Sequence, residues 1–441
     1  MSLMHSSKEK GMCHSVLPPT SRVERVSLGD LFWIFLKIGC VAFGGFMALI
    51  SVIADTIVEK RKLLTPDDML DGISLANLLP GPQGVNCVVY IGYRLRGTLG
   101  ALVSAVGVLL PTFVLIAVLT ALYITYASQI PALENLFAGF VPAVAAVIVS
   151  VVHRMGKNTL KGRREVLLAL LAILALLVAP RAIRLYVTFS IVFSFGLVGY
   201  WTFHQPNTLV SRRTTRLPWA RILTPLVVLS LLVVAFLARP PLDPNGLPQI
   251  ALTFSGLSLM LFGGGYVFIP MIQEVVVTSY GWLTTQQFLD GIAFSQVTPG
   301  PILVIATFIG QKVITEQYGL LAGVLGALVG TIGIFTPPAI LMVTLSRVLD
   351  DIQQSPGVKA AMQGIRCGIL GMIGVAALVI LRTSLPAWSG ELSVATSVSY
   401  LSLLWPTLVI FVAALIALVK YRVDVVWIIP SAGLFGLLVY G

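Results

Sequence analysis

The chain has 441 residues, of which 57% are hydrophobic and only 11% are charged. An ordinary soluble protein carries roughly 25% charged residues, so this composition excludes a soluble globular fold. The formal net charge is +11, and the basic residues lie in short polar segments between apolar runs. That distribution is typical of the loops that orient membrane helices, and it argues against a nucleic-acid-binding surface.

Apolar stretches recur along the whole chain, and about 20 apolar residues are enough to cross the hydrocarbon core of a bilayer. They predict an all-α, multi-pass membrane protein with about 13 transmembrane helices. The predicted spans lie near residues 31–53, 68–94, 98–125, 133–152, 166–180, 183–203, 220–238, 250–276, 287–313, 319–346, 357–381, 395–419 and 423–440.

Clusters of Lys and Arg mark cytoplasmic loops. Thirteen crossings that start in the cytoplasm put four clusters inside: in the N-terminal tail, after the fourth and sixth spans, and before the last span. The cluster Lys60–Lys62 would then lie outside. A re-entrant second span would move Lys60–Lys62 inside and the tail outside, and the same scheme in both halves would leave Lys420 and Arg422 outside. We therefore favour the full crossing.

The chain contains an internal repeat, in which a series of short motifs recurs at one constant spacing. Phe43-Gly44-Gly45 recurs as Phe262-Gly263-Gly264, Leu64-Thr65 as Leu283-Thr284, Asp71-Gly72 as Asp290-Gly291, and Pro80-Gly81-Pro82 as Pro299-Gly300-Pro301. Seven crossings separate the starts of the two copies, and an odd number inverts the second copy, as in many secondary transporters. The predicted divisions are a cytoplasmic tail (1–29), a first repeat (30–155), a linker with three helices (156–249), a second repeat (250–385) and a C-terminal helix pair (386–441).

Each Pro-Gly-Pro lies inside an apolar stretch, where proline removes a backbone donor and breaks the helix. We expect the amides of Gly81 and Gln83 to point into the gap, and Gly300 to act likewise in the second copy. The helix that follows each break starts within the membrane, and its positive dipole end can bind an anion. A simple proline kink is the alternative.

Polar and ionisable residues near the breaks complete the predicted site, although the polar ones also fit helix–helix hydrogen bonding. Arg366 is predicted to be a buried cation that faces the anion. Asp71 and Asp290 are candidates for proton coupling or for pairing with Arg366, or else interfacial residues. Arg94, Arg96 and Lys312 are assigned to membrane edges, where attraction of an anion to the vestibule would be a minor role. The candidate substrate-binding residues are Gly44, Gly45, Asn77, Gly81, Gln83, Asn86, Gly263, Gly264, Gln296, Thr298, Gly300 and Arg366.

The histidines and cysteines show no metal-ligand spacing, and the spans contain no nucleophile–base pair. Catalysis requires positioned acids, bases or nucleophiles. We therefore expect no cofactor, no metal and no enzymatic activity.

With these motifs, the chain resembles the CHR chromate ion transporter family in its long, two-domain form, over about residues 30–155 and 250–385. The second half carries the stronger signature, in the segments at 262–266 (Phe-Gly-Gly-Gly-Tyr), 281–284 (Gly-Trp-Leu-Thr), 287–293 (Gln-Phe-Leu-Asp-Gly-Ile-Ala), 296–301 (Gln-Val-Thr-Pro-Gly-Pro) and 306–310 (Ala-Thr-Phe-Ile-Gly). The resemblance implies a multi-pass carrier in the bacterial plasma membrane (the inner membrane). It would export chromate, driven by the membrane potential or a proton gradient, with sulfate as a competitor.

The first half departs from the family pattern at two positions. Phe46 follows Phe-Gly-Gly where the family has Pro, and Gln83 follows Pro-Gly-Pro where the family has an acidic residue. The loss of a carboxylate keeps open a sulfate or other inorganic anion transporter, and a passive anion channel. Whether the chain forms a homodimer is also open.

Overall fold

The protein is described by a computed structural model that is almost entirely helical, with no strand among the residues it describes. These residues are 26–43, 45–127, 129–180, 183–203, 219–238, 243, 245–262, 268–346, 356–384 and 397–440. The predicted sites Gly44, Gly263 and Gly264 lie outside them. Within the described ranges, five helices are long and apolar enough to cross a membrane, namely Gln83–Tyr126, Asn135–Thr159, Tyr186–Phe203, Leu320–Leu345 and Pro356–Val379.

The helices are numbered here in chain order. They are α1 (Leu28–Val41), α2 (Gly45–Ile53), α3 (Pro66–Leu78), α4 (Gln83–Tyr126), α5 (Pro131–Thr159), α6 (Arg163–Val178), α7 (Arg184–Phe203), α8 (Trp219–Ala238), α9 (Leu247–Met260), α10 (Phe268–Gln273), α11 (Thr285–Val297), α12 (Ile305–Tyr318), α13 (Leu320–Leu345), α14 (Pro356–Ser384), α15 (Ser397–Val419) and α16 (Val425–Tyr440). π-helical turns extend α2 (Ala54–Lys60) and α10 (Glu274–Ser279), and a 3₁₀ turn (Ile302–Val304) precedes α12.

Helix α4 consists of two helices that fold back on each other. Arg96 and Gly97 leave the helical conformation, and Gly97 has a φ of 66°. A Cβ on Gly100 would lie 2.2 Å from the carbonyl oxygen of Gly92, so the two backbones touch. We call residues 83–95 the short arm of α4 and residues 98–126 its long arm.

The predicted span 68–94 is a hairpin rather than a crossing. Helix α3 and the short arm run antiparallel, because Arg94 at the end of the arm forms an ion pair with Asp68 at the start of α3. The ring of Tyr90 also packs on Gly72 between them. Each helix has about 13 residues and is about 20 Å long, too short to cross a hydrocarbon core of about 30 Å. The prediction of a full crossing here is therefore wrong.

The predicted span 287–313 is a hairpin of the same kind. Helices α11 and α12 follow each other around Pro-Gly-Pro, and the ring of Phe308 packs on Gly291 as Tyr90 packs on Gly72. We call residues 66–95 the first hairpin and residues 285–318 the second hairpin. Both begin with a capping box, in which a Thr side chain accepts from a backbone N–H and the third helical residue returns the bond.

The two hairpins open at opposite ends of the long arm. The long arm rises about 1.5 Å per residue over residues 98–126 and is therefore about 43 Å long. Arg94 at the mouth of the first hairpin directly precedes its start. Near its end, the hydroxyl of Tyr123 donates to Asp290 at the mouth of the second hairpin, at 2.8 Å. We call these ends the Lys60 face and the Tyr123 face.

Lys60–Lys62 lie at the end of the molecule where α1 starts, which gives the Lys60 face its name. Leu28 of α1 lines a small cavity with Leu95 and Leu99, beside the mouth of the first hairpin. Only residues 61–65 separate the π-helical turn from α3, and about five residues span at most about 18 Å. The chain thus returns after α2 instead of crossing, and the prediction that places Lys60–Lys62 opposite the start of the first span is wrong.

Candidate functional site

The tips of the two hairpins are bound to each other's halves by a reciprocal pair of backbone hydrogen bonds. The N–H of Gly81 donates to the carbonyl of Leu261 at 2.7 Å, and the N–H of Gly300 donates to the carbonyl of Ala42 at 2.9 Å. Both donors and both acceptors are related by the spacing of the repeat. Ala42 and Leu261 directly precede the two Phe-Gly-Gly motifs, so each tip contacts the interruption between helices in the opposite half.

The glycines at the tips make close approaches to the opposite half. Gly81 and Gly300 have φ angles of 99° and 114°, which side chains rarely adopt. A Cβ on Gly81 would lie 2.4 Å from the Cβ of Pro338, and one on Gly300 would lie 2.3 Å from the Oγ1 of Thr112. Because the amides of both glycines already donate to carbonyls, the expectation that they point into the gap for an anion is wrong. The chain reverses at both tips, which also excludes a simple proline kink.

Two side chains satisfy the carbonyls that the broken helices leave at the tips. Asn86 Nδ2 donates to the carbonyl of Pro80 at 3.0 Å, and the hydroxyl of Thr112 donates to the carbonyl of Pro299. Asn86 is fully buried, and its Oδ1 has no hydrogen-bond partner among the described residues. Sequence reasoning missed Thr112, and its only signal was the preceding Pro111, which corresponds to Pro337 in the second copy.

The helices after the tips begin in the interior without a side-chain cap. Pro82 and Pro301 are their N-cap residues. The first intrahelical bond of α4 runs from Asn86 N to Pro82 O, so the amides of residues 83–85 precede it. Such amides and the helix dipole favour an anion, and the arrangement could hold a small oxyanion between the two helix starts.

The other predicted site residues near the tips differ in burial and in hydrogen bonding. Gln296 and Thr298 are buried at the end of α11, and the Thr298 hydroxyl donates to the carbonyl of Phe294 at 3.0 Å within its own helix. Asn77 and Gln83 are half-buried on either side of the first tip. Gly45 is the first residue of α2.

Arg366 does not have the environment that the sequence suggested. It lies in α14, which packs mainly against α6, α7 and α5. Its side chain is exposed, so the expectation of a buried cation is wrong. Arg366 lies on a part of α14 that these neighbours leave uncovered, and periodicity alone does not tell which residues of a helix are covered.

The repeat-equivalent carboxylates Asp71 and Asp290 lie in different environments. Asp290 is 2% exposed and accepts from the Tyr123 hydroxyl at 2.8 Å and from Gln286 Nε2 at 3.1 Å. Asp71 is half-buried and interacts electrostatically with Arg94. Of the two, Asp290 is therefore the buried carboxylate that is tied across two helices.

A cavity of about 580 Å³ lies at the mouth of the second hairpin, and we call it the vestibule. Lys312 is 4% exposed in it and forms an ion pair with Glu316, so it is buried in protein rather than exposed at the surface. Arg94 of the first hairpin is offset from Lys312 by nearly the spacing of the repeat, and this correspondence was the signal in the sequence. The vestibule is lined by Tyr123, Ile124, Ala127, Phe137, Ala138, Thr284, Gln286, Gln287, Asp290, Lys312 and Glu316. Among the described residues, no three His, Cys, Asp or Glu side chains are placed to hold a metal ion.

Comparison with known proteins identifies the family. The model of the family described as "Chromate transporter" matches residues 29–200 and 248–437, which include both hairpins. The chain is 30% identical to the chromate transport protein of Pseudomonas aeruginosa, over 94% of this chain and 93% of that protein. It is 27% identical to the chromate transport protein of Cupriavidus metallidurans (90% and 94% covered) and 29% identical to a probable chromate transport protein of Synechococcus elongatus (81% and 86% covered). No solved structure matches the chain. The resemblance read from the sequence is thus confirmed, and the chain belongs to the chromate transporter family.

Proposed function

We propose that the chain is a secondary active transporter that exports chromate, or a similar tetrahedral oxyanion, from the cytoplasm across the bacterial inner membrane. The reciprocal hydrogen bonds that each hairpin tip makes with the opposite half carry this proposal. They support a single central site to which both halves contribute a helix start. The names of the relatives favour chromate among the tetrahedral oxyanions.

The two halves would act as inverted repeats around this site. The opposite openings of the hairpins support the inversion independently of any count of crossings. In such folds, one half rocks against the other and exposes the midplane site alternately to each side. The helix ends at Ala42 and Leu261 and the Pro-Gly-Pro breaks lie where such a movement would need the backbone to be free of continuous helix.

The face that holds Lys60–Lys62 would be cytoplasmic. Arg94 and Arg96 lie at the same face, and α5 returns to it from Phe137, whose ring contacts that of Tyr123 at 5.1 Å between centroids. That return brings the basic segment 154–164 to the Lys60 face, as the positive-inside rule requires. The vestibule would then open to the outside, and the ion pair of Asp68 with Arg94 would bridge the cytoplasmic mouth.

The test is chromate uptake into everted membrane vesicles from cells that express the chain, with and without an energised membrane. Energy-dependent accumulation that excess sulfate inhibits is the expected result. If the protein is present in the membrane and no chromate accumulates, the chromate assignment fails, and sulfate is then tested as the substrate. Uptake that neither saturates nor depends on a counter-ion gradient would instead identify a passive channel.

Asp290 and Asp71 are the proposed coupling groups, and Arg366 stays a proposed anion-binding residue. If Arg366 contacts the anion, Arg366→Gln raises the half-saturating chromate concentration more than Arg366→Lys does, because Lys keeps the positive charge. Equal effects of the two variants, or none, would assign Arg366 a structural role.

A further inference from the structure

The vestibule holds one buried ammonium group beside two carboxylates. The side chain of Lys312 is 6% exposed, whereas that of its partner Glu316 is 54% exposed. Both residues belong to α12 and lie one helical turn apart. Asp290 enters from α11 and is already engaged by Tyr123 and Gln286. Lys312 therefore depends on a carboxylate that is largely in solvent.

The ion pair at the first hairpin has a different construction. Arg94 reaches across to Asp68 on the neighbouring helix, and Asp68 also completes the capping box of α3 with Thr65. The position equivalent to Asp68 in the second hairpin is Gln287, which completes the capping box of α11 but carries no charge. Lys312 thus has no cross-helix carboxylate of that kind. An ion pair between residues i and i+4 is weak where it is exposed to solvent, and the Glu316 half of this pair is exposed.

The other residues that line the vestibule do not supply a second positive charge. Helix α4 contributes Tyr123, and α5 contributes Phe137 and Ala138, which are uncharged. Helix α11 contributes Gln286, Gln287 and Asp290, its N-cap residue Thr284 adds a hydroxyl, and α12 contributes Glu316. Lys312 is thus the one cation among the described lining residues. An anion that enters the vestibule meets its strongest attraction there, once Glu316 has moved aside into solvent.

We propose that Lys312 is a transient oxyanion-binding residue of the vestibule, and that Glu316 occupies it when no anion is present. This inference rests on the proposed transport of an oxyanion, and it adds a second binding position on the Tyr123 face. The chemistry is that of a tetrahedral dianion exchanging with a carboxylate on one ammonium group. The amides of Gln286 and Gln287 and the hydroxyl of Thr284 line the same space as additional polar groups.

The experiment measures chromate uptake separately from each face. Right-side-out vesicles report the affinity at the outer face and everted vesicles that at the cytoplasmic face, both with an inside-positive potential. Lys312→Gln is expected to raise the half-saturating chromate concentration about tenfold in right-side-out vesicles, because one charge at contact distance is lost. Everted vesicles should show no change. Glu316→Gln is expected to lower the half-saturating concentration in right-side-out vesicles, because it releases Lys312.

Opposite effects of the two variants separate ligand binding from mere loss of an ion pair. If both variants weaken uptake, or if either acts equally from both faces, the pair is structural and the inference is overturned. If Lys312→Gln fails to reach the membrane, Lys312→Arg is tested in its place. Because Arg keeps the positive charge, this variant is expected to have a normal half-saturating chromate concentration in right-side-out vesicles. Lys359→Gln, at an exposed lysine of α14, is the matched control and should change neither affinity. Absence of chromate transport by the unaltered chain would instead refute the proposed function.

Discussion

Gly81 and Gly300 occupy positions with two demands that only a glycine meets. Each has a positive φ, and each faces an atom of the opposite half where a Cβ would stand. Gly97 and Gly319 also have positive φ angles, of 66° and 84°, but a Cβ there would meet nothing within 4 Å. Gly97 and Gly319 therefore share the positive φ of the tip glycines but lack their contact with the opposite half.

We predict that Gly81→Ala and Gly300→Ala abolish most transport while the protein still inserts. The backbone strain costs roughly 1–2 kcal/mol, and the clash with Pro338 or Thr112 separates the tips as well. Replacement of either glycine by Leu should do the same more severely. Vesicle uptake and the amount of protein in the membrane are the measurements.

The matched controls are Gly97→Ala and Gly319→Ala, which carry the strain without the clash. They should lose stability but keep most of their transport. Equal transport by all four alanine variants would contradict the role assigned to the tips.

The sequence pointed to both tip glycines but did not predict the contacts that require glycine there. The repeat identified both tip glycines, since they occupy the same position in its two copies. Their occupied amides could not be predicted, because the acceptor carbonyls lie in the other half of the chain. Exposure of Arg366 and burial of Lys312 likewise depend on helix neighbours that one sequence does not reveal.

The second hairpin is fastened to the long arm of α4 by a buried polar link. The Tyr123 hydroxyl donates to Asp290, and the Tyr123 ring makes edge contacts with Phe294 and Phe308 of the hairpin. Gln311 Nε2 adds a bond to the carbonyl of Ala117 at 3.0 Å. One face of the long arm therefore positions both helices of the hairpin.

We predict that Tyr123→Phe lowers the thermal stability of the purified protein. The variant keeps the ring contacts but removes one of the two donors to a buried carboxylate, which costs about 1–3 kcal/mol. Thermal unfolding in detergent, followed by the loss of the monodisperse species, is the measurement. Tyr126→Phe, one turn further along at an exposed position, is the control and should leave the unfolding temperature unchanged. An identical shift in both variants would rule out the link as its cause.

Hydropathy predicted where the hairpins lie but not that they turn back. An apolar stretch of about 27 residues has the same composition whether it crosses or returns. What decides is the contact between its ends, here the ion pair of Asp68 with Arg94. The basic cluster Lys60–Lys62 was the clue in the sequence, since it conflicted with thirteen full crossings.

At the scale of the whole molecule, the hairpins place the basic cluster Lys60–Lys62 and the basic segment after α5 on one side. The Lys60 face holds Lys60–Lys62, Arg94 and Arg96, and α5 brings the segment 154–164 to it. Thirteen full crossings would instead separate Lys62 from Lys161. The topology can therefore be tested with single cysteines.

We predict that Lys62→Cys and Lys161→Cys react with a maleimide only from the cytoplasmic side, and Gln129→Cys only from outside. All three positions are exposed. The native cysteines are first replaced by serine, since Cys40 is exposed. Labelling of intact cells with a membrane-impermeant reagent is the measurement. Labelling of Lys62→Cys in intact cells would instead support thirteen full crossings, which place Lys62 outside.

The reciprocal bonds at the tips also set an order of assembly during synthesis. Gly81 belongs to the first repeat, whereas Leu261, the acceptor for its amide, belongs to the second repeat and is translated much later. At roughly 5–20 residues per second, the ribosome needs roughly 10–40 s to supply that acceptor. An unpaired amide is costly in lipid, so the nascent first half must be kept in contact with water or with the insertion machinery until the second half arrives. The two hydrogen bonds at the tips can therefore form only after more than half of the chain has been translated.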